Sequence, residues 1–152
     1  MASEAPAREH TGTTGADGDQ SFRLRRILVP LDLLPAGEAK LPVAEAQARA
    51  FGAELILLHV LSQREASGDG GVSPTEAHAH AFLDAVALRL RSDGISAQPL
   101  IRVGPVAATV VDVARELGAD LIVIGTNMRG GLTRIFPGAI ADEIAHNAPC
   151  PV

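Results

Sequence analysis

The chain has 152 residues, 47% of them hydrophobic and 20% charged, with a net charge of −5. That describes one domain with enough apolar material for a core of its own, and a single cysteine, Cys150, permits no disulfide within the chain. An acidic balance without a basic stripe, and four Phe with no Trp or Tyr, exclude a nucleic-acid surface built on charge and base stacking.

Residues 1–21 are Ala, Gly, Thr, Glu and Asp without an apolar period, so they are expected as a disordered tail before a domain of residues 22–152. No basic patch followed by an apolar stretch opens the chain, and no run of about 18 apolar residues follows, so neither a secretory signal nor a membrane span is expected. Cytoplasmic location is the resulting expectation.

The domain alternates regularly. Arg26 to Leu31 reads as a buried strand. Leu41, Ala44, Ala48 and Phe51, spaced by three and four, read as the inner face of a helix closed by Gly52. Glu54 to Val60 is a second strand. A glycine-bearing loop, Ser62 to Val72, leads to Ser73-Pro74-Thr75-Glu76, which carries the Ser-x-x-Glu pattern of a helix start. That helix places Ala79, Phe82, Leu83, Val86 and Leu90 on one face and ends at Gly94. Ile95 to Val103 is a third strand, assigned to a sheet edge because Pro99 interrupts it. Gly104-Pro105 starts a helix that buries Val106, Val110, Val113, Ala114 and Leu117, and Gly118 closes it. Leu121 to Ile124 is the fourth strand. A short last helix, Gly138 to Asn147, buries Ile140 and Ile144, and the chain reaches Pro151-Val152 where a fifth strand begins.

Strands alternating with helices imply right-handed crossovers and an open parallel sheet covered on both faces, an α/β doubly wound fold. In such folds ligands bind beyond the carboxyl ends of the strands, where strand order reverses. The segment Gly125 to Ala139, GTNMRGGLTRIFPGA, joins the fourth strand to the last helix. An apolar strand, a glycine-rich loop and a helix start together present backbone N–H groups to a phosphate.

RILVPLD at 26–32, AELILLHVL at 53–61, GPVAATVVDVA at 104–114, GADLIVIGT at 118–126, the glycine loop and NAPCPV at 147–152 together resemble the universal stress protein family over residues 23–152. The resemblance implies a five-stranded sheet of order 3-2-1-4-5, its last strand nearly absent here. It also implies a homodimer and an adenine nucleotide, ATP or AMP, with magnesium only alongside ATP. Nucleotide-binding members carry Gly, two residues, Gly, nine residues, Gly, then Ser or Thr. Gly125 and Gly138 match that pattern; Met128 and Ala139 depart from it. The implied site comprises Pro30, Leu31, Asp32, Val60, Gly125, Thr126, Met128, Arg129, Gly138, Ala139 and Ile140. Asp32 would meet the adenosine moiety, the Val60 backbone the adenine, and the N–H groups of Ala139 and Ile140 a phosphate, with Arg129 and Arg134 nearby.

A missing hydroxyl at Ala139 removes one bond to a charged group, roughly 1.5–3 kcal/mol, or about one to two decades of affinity. Met128 replaces a glycine that permits close ligand approach. Triphosphate binding is therefore expected to suffer more than adenosine or monophosphate binding. The alternative is an interaction or dimerisation module of the same fold without a nucleotide. Asp32 has a second reading of its own, as a cap of the first helix. No catalytic constellation is visible: GxxxxGK[ST] and GxSxG patterns are missing, and His78 and His80, two apart on a helix, point different ways. Neither an enzyme nor a metal site is expected. His59 is expected as a half-buried, hydrogen-bonded histidine, His146 as a favourable charge at a helix end, and Cys150 as a packing residue.

Overall fold

The computed structural model describes residues 23–67, 71–125 and 138–152. Arg26–Pro30 forms β1, followed by a 3-10 helix at Pro35–Lys40 and α1 at Leu41–Phe51. Then come β2 (Glu54–Leu61), α2 (Gln63–Ala66), α3 (Pro74–Ser92), β3 (Ala97–Val103), α4 (Val106–Leu117), β4 (Leu121–Ile122) and α5 (Ala139–Asn147). The four strands are parallel in the order β3-β2-β1-β4. The chain returns to the free side of β4, where Ile122 N–H donates to the Pro151 carbonyl at 2.9 Å. That bond occupies the place of a fifth strand in the order 3-2-1-4-5.

The central strands β1 and β2 are largely apolar because both faces of the sheet are covered there. On one face Ile27, Val29, Leu55 and Leu57 pack with Leu41, Ala44 and Ala48 of α1 and Leu83, Val86 and Leu90 of α3. On the other, Leu28, Ile56, Leu58 and Ile122 pack with Val110, Val113 and Ala114 of α4 and Ile144 of α5. Alternation along each strand assigns neighbouring residues to opposite cores. Cys150 is half-buried against the second core, and burial pushes its thiol pKa above the ordinary value.

Several local expectations need correction. Phe51 is 46% exposed, because it is the last residue of α1 and the chain turns at Gly52, whose φ is 65°. The loop after β2 contains α2, which Ser62 and Glu65 close as a reciprocal capping box. At α3, Ser73 Oγ accepts from Glu76 N–H at 3.0 Å and donates to the Glu65 carbonyl, so the two helix starts are tied together. β4 is two residues long rather than four. β3 is an edge strand, as Pro99 requires, but begins at Ala97. Ile140 is half-buried, leaving Ile144 as the fully buried residue of α5. Asp120 accepts from the N–H groups of Arg25 and Arg26 at 2.8 and 3.0 Å, pinning the start of β1 to the start of β4.

Leu57, fully buried in the sheet, reports on the first core. Leu57→Ala is expected to cost about 2–5 kcal/mol of stability, read as a lower urea midpoint at an unchanged slope.

Candidate functional site

In a parallel sheet every strand delivers its carboxyl end to the same side. The chain steps from β1 through β2 to β3 on one side, then crosses by α4 to β4 on the other side of β1, so strand order reverses at β1. β1 pairs through Pro30 opposite Leu58, and Leu31 N–H extends the ladder to the Leu58 carbonyl at 2.7 Å. β2 runs on to Leu61, so His59 and Val60 stand as a wall beside the shorter β1. On the other flank Ile122 pairs with Leu28 and Val123 N–H donates to the Leu28 carbonyl at 2.9 Å. Gly125 lies two residues beyond Val123, which carries it out of the sheet at the level where Leu31 leaves β1.

Asp32 is the first polar residue after five buried ones, Ile27, Leu28, Val29, Pro30 and Leu31. Its side chain is half-buried, and Oδ1 is sealed from solvent with no hydrogen-bond partner. The helix-cap reading of Asp32 fails, since Leu34 occupies the N-cap of the 3-10 helix and no side chain caps it. A buried carboxylate oxygen without a donor is costly.

Gly37 is what seals it. A Cβ at Gly37 would overlap Asp32 Oδ1 and come within 2.8 Å of the Asp32 carbonyl oxygen and 2.9 Å of Cγ. Only a residue without a side chain lets the 3-10 helix lie against the carboxylate. Lys40, at the end of the same helix, is only 9% exposed. Burial pushes its pKa below the ordinary 10.5, and the nearby Asp32 charge partly offsets that shift. Sequence reasoning passed over both residues. The signal was Pro35-Ala36-Gly37, a turn former directly after the strand that carries Asp32.

His59 is half-buried with Nδ1 at 2.7 Å from the Leu31 carbonyl, as a satisfied histidine should be. It fastens the last backbone group before Asp32 to β2. Glu65 accepts from Ser62 N–H at 2.7 Å, and this bond, then the Ser62 side chain, lowers its pKa; the His59 charge acts in the same sense.

Val60 pairs with Arg102 of β3 and turns its side chain toward the second core. Among the described residues, nothing lies within 4 Å of where a Gly125 Cβ would stand. Gly138 has φ 108° and forms the N-cap of α5, a backbone angle that glycine alone adopts readily. Ala139 and Ile140 open α5, with their side chains exposed and half-buried. Asp142 lies in the first turn of that helix; its N–H donates to the Gly138 carbonyl at 2.8 Å and its Oδ2 lies 3.9 Å from where a Gly138 Cβ would stand. Thr126, Met128, Arg129 and Arg134 lie outside the described residues. Among the described residues no three His, Cys, Asp or Glu gather as a metal site would require, and no helix is long and apolar enough to cross a membrane. A groove of about 270 Å³ between α4 and α5, lined by Val111, Asp112, Arg115, Glu143 and Asn147, opens away from the β1 and β4 tips.

Gly37→Ala is expected to lower stability by roughly 1–3 kcal/mol through overpacking against Asp32. Chemical denaturation checks this, and a neutral result would mean that the 3-10 helix does not bear on the carboxylate.

Among curated proteins, a universal stress protein of Synechocystis sp. is 29% identical over 131 residues, covering 84% of this chain and 83% of its own. Another from the same organism is 26% identical over 77 residues, and there the match spans about half of each protein. The universal stress protein UspA from Lactobacillus plantarum superposes with a TM-score of 0.66 at 25% identity, over 86% of this chain and 96% of that one. Two further solved structures share the fold: a universal stress protein in complex with cAMP (TM-score 0.67, 22% identity, 85% of this chain and 94% of that one), and one from Archaeoglobus fulgidus in complex with dAMP (0.64, 22%, 86% and 96%). The model of the universal stress protein family matches residues 23–152, and the chain belongs to that family.

Proposed function

We propose that this protein is a regulatory module that binds an adenine nucleoside or nucleotide between the tips of β1 and β4, with the anion-holding half of the cleft impaired. The observation that carries the reading is the half-buried Asp32 carboxylate directly after β1, at the point where strand order reverses. The cAMP and dAMP complexes of proteins with the same fold support the choice of an adenine ligand.

In this reading Pro30 and Leu31 hold Asp32 in place, Asp32 receives hydrogen-bond donors of adenosine, and the Val60 backbone borders the base. Gly125 and Thr126 admit the ligand, and the N–H groups of Ala139 and Ile140 face the phosphate, with Met128 and Arg129 in the connecting loop. Two features of the α5 end weaken a phosphate there. Ala139 supplies no hydroxyl, and the Asp142 carboxylate already occupies the field of the helix N-terminus that would favour an anion. AMP, with less charge to place, loses less than ATP. Magnesium belongs to the reading only with ATP. The assembly is proposed as a homodimer in the cytoplasm, without catalysis, nucleic acid or membrane.

Calorimetric titration tests the ligand. ATP is expected to bind no tighter than AMP, and Asp32→Ala to abolish both; low-micromolar ATP binding far tighter than AMP would contradict the impaired anion half. Asp142→Asn is expected to strengthen ATP severalfold while leaving adenosine unchanged, since about 0.3–1 kcal/mol attaches to a charge at a helix terminus. The departures at Met128 and Ala139 favour the second reading, an interaction module without a nucleotide. A melting temperature unmoved by millimolar ATP and AMP alike would establish it over the first.

A further inference from the structure

Along β2 the backbone groups of successive residues face alternate neighbours. Glu54 N–H donates to the Arg25 carbonyl at 2.9 Å, and the Leu58 carbonyl accepts from Leu31 N–H at 2.7 Å, so the even-numbered residues address β1. Leu55 N–H donates to the Ser96 carbonyl and the Leu61 carbonyl accepts from Gly104 N–H, both at 2.9 Å, so the odd-numbered ones address β3. Val60 is the next β2 residue to face the side of β1. An uninterrupted ladder would join its N–H to the Leu31 carbonyl.

That rung is not made. The register of β1 on β2 ends at Pro30 opposite Leu58. The Leu31 carbonyl is taken instead by the His59 side chain, with Nδ1 at 2.7 Å. A carbonyl only accepts, so Nδ1 carries the proton of this bond. A side chain of β2 thus occupies the acceptor that the backbone of the following β2 residue would have used.

We propose that His59 is a positioning residue of the cleft, which takes the Leu31 carbonyl through Nδ1–H, stops the ladder one rung early and leaves the Val60 backbone open to the ligand. The inference rests on the functional reading above and deepens it. In a parallel strand the N–H and the carbonyl of one residue face the same side. Val60 therefore offers a donor and an acceptor together past the end of β1, and the edge of adenine carries an acceptor nitrogen beside its amino group. The same bond fixes the peptide plane that leads into Asp32, because that plane turns as one unit. Without the His59 donor the Leu31 carbonyl is free to accept from Val60 N–H, and the ladder then closes over the place of the base.

The experiment uses the full chain, with adenosine as the probe. Amide hydrogen exchange at Val60 needs no variant: the free protein is expected to exchange it faster than the amides of Leu57 and Leu58, and adenosine to slow it. Calorimetric titrations and urea midpoints are then recorded for the parent, His59→Leu and His59→Asn. His59→Leu removes the donor and is expected to lower adenosine affinity about tenfold. His59→Asn carries an amide nitrogen where Nδ1 stands and is expected to recover affinity to within about threefold of the parent. A Val60 amide protected in the free protein as fully as its neighbours means an intact ladder and overturns the role. If both variants bind adenosine as the parent does, the role is overturned and the functional reading stands. If His59→Asn, folded, is as weak as His59→Leu, the donor is not what matters and the role is overturned as well. A parent that binds no adenosine overturns both.

Discussion

The backbone ladder that pins β1 between β2 and β4 is the constraint on which the site depends. Ile27, Leu28 and Val29 are fully buried, with alternate residues feeding opposite cores. No polar side chain can be placed within that strand without a partner. The first position free to carry one is beyond Leu31, whose N–H and carbonyl are both committed to β2, through Leu58 and His59. Asp32 thus directly follows a residue whose two backbone polar groups are both tied to β2. Its carboxylate can serve as a fixed acceptor because everything before it is immobilised.

Around that carboxylate, the local rules that make a sequence foldable are broken in one place. A carboxylate oxygen is buried without a donor, and a glycine lies against it where a side chain would collide. Elsewhere among the described residues, charges behave ordinarily. Asp120 ties two strand starts, Arg102 meets Glu116 at 3.2 Å, and Glu45 pairs with Arg49 and Arg89 at the surface.

Much of the fold was legible in the sequence, and the reason is burial. Strands covered on both faces read as continuous apolar runs, and the helix faces at Val110, Val113 and Ala114, or Leu83, Val86 and Leu90, repeat every three or four residues. Gly52 and Gly118 mark helix ends because the chain there takes the left-handed conformation, at φ 65° and 60°. Short elements were less legible. α2 has four residues and no apolar period, and only Ser62-Gln63-Arg64-Glu65, read as a capping box, announces it. Phe51 was assigned inward by its spacing, but at the last turn of a helix the spacing no longer commits a side chain to the core. In the site, Asp32 could be found from motif and position. Gly37 could not, because its importance comes from a tertiary contact that no periodicity encodes.

The two halves of the cleft rest on different foundations. The half around Asp32 is built on the central strand and both cores. The half at Gly138, Ala139 and Ile140 belongs to α5, which is anchored by one fully buried side chain, Ile144, and by the Arg115 bond to the Asn147 carbonyl at 3.0 Å. A helix of nine residues held so lightly opens at lower free energy than the sheet does.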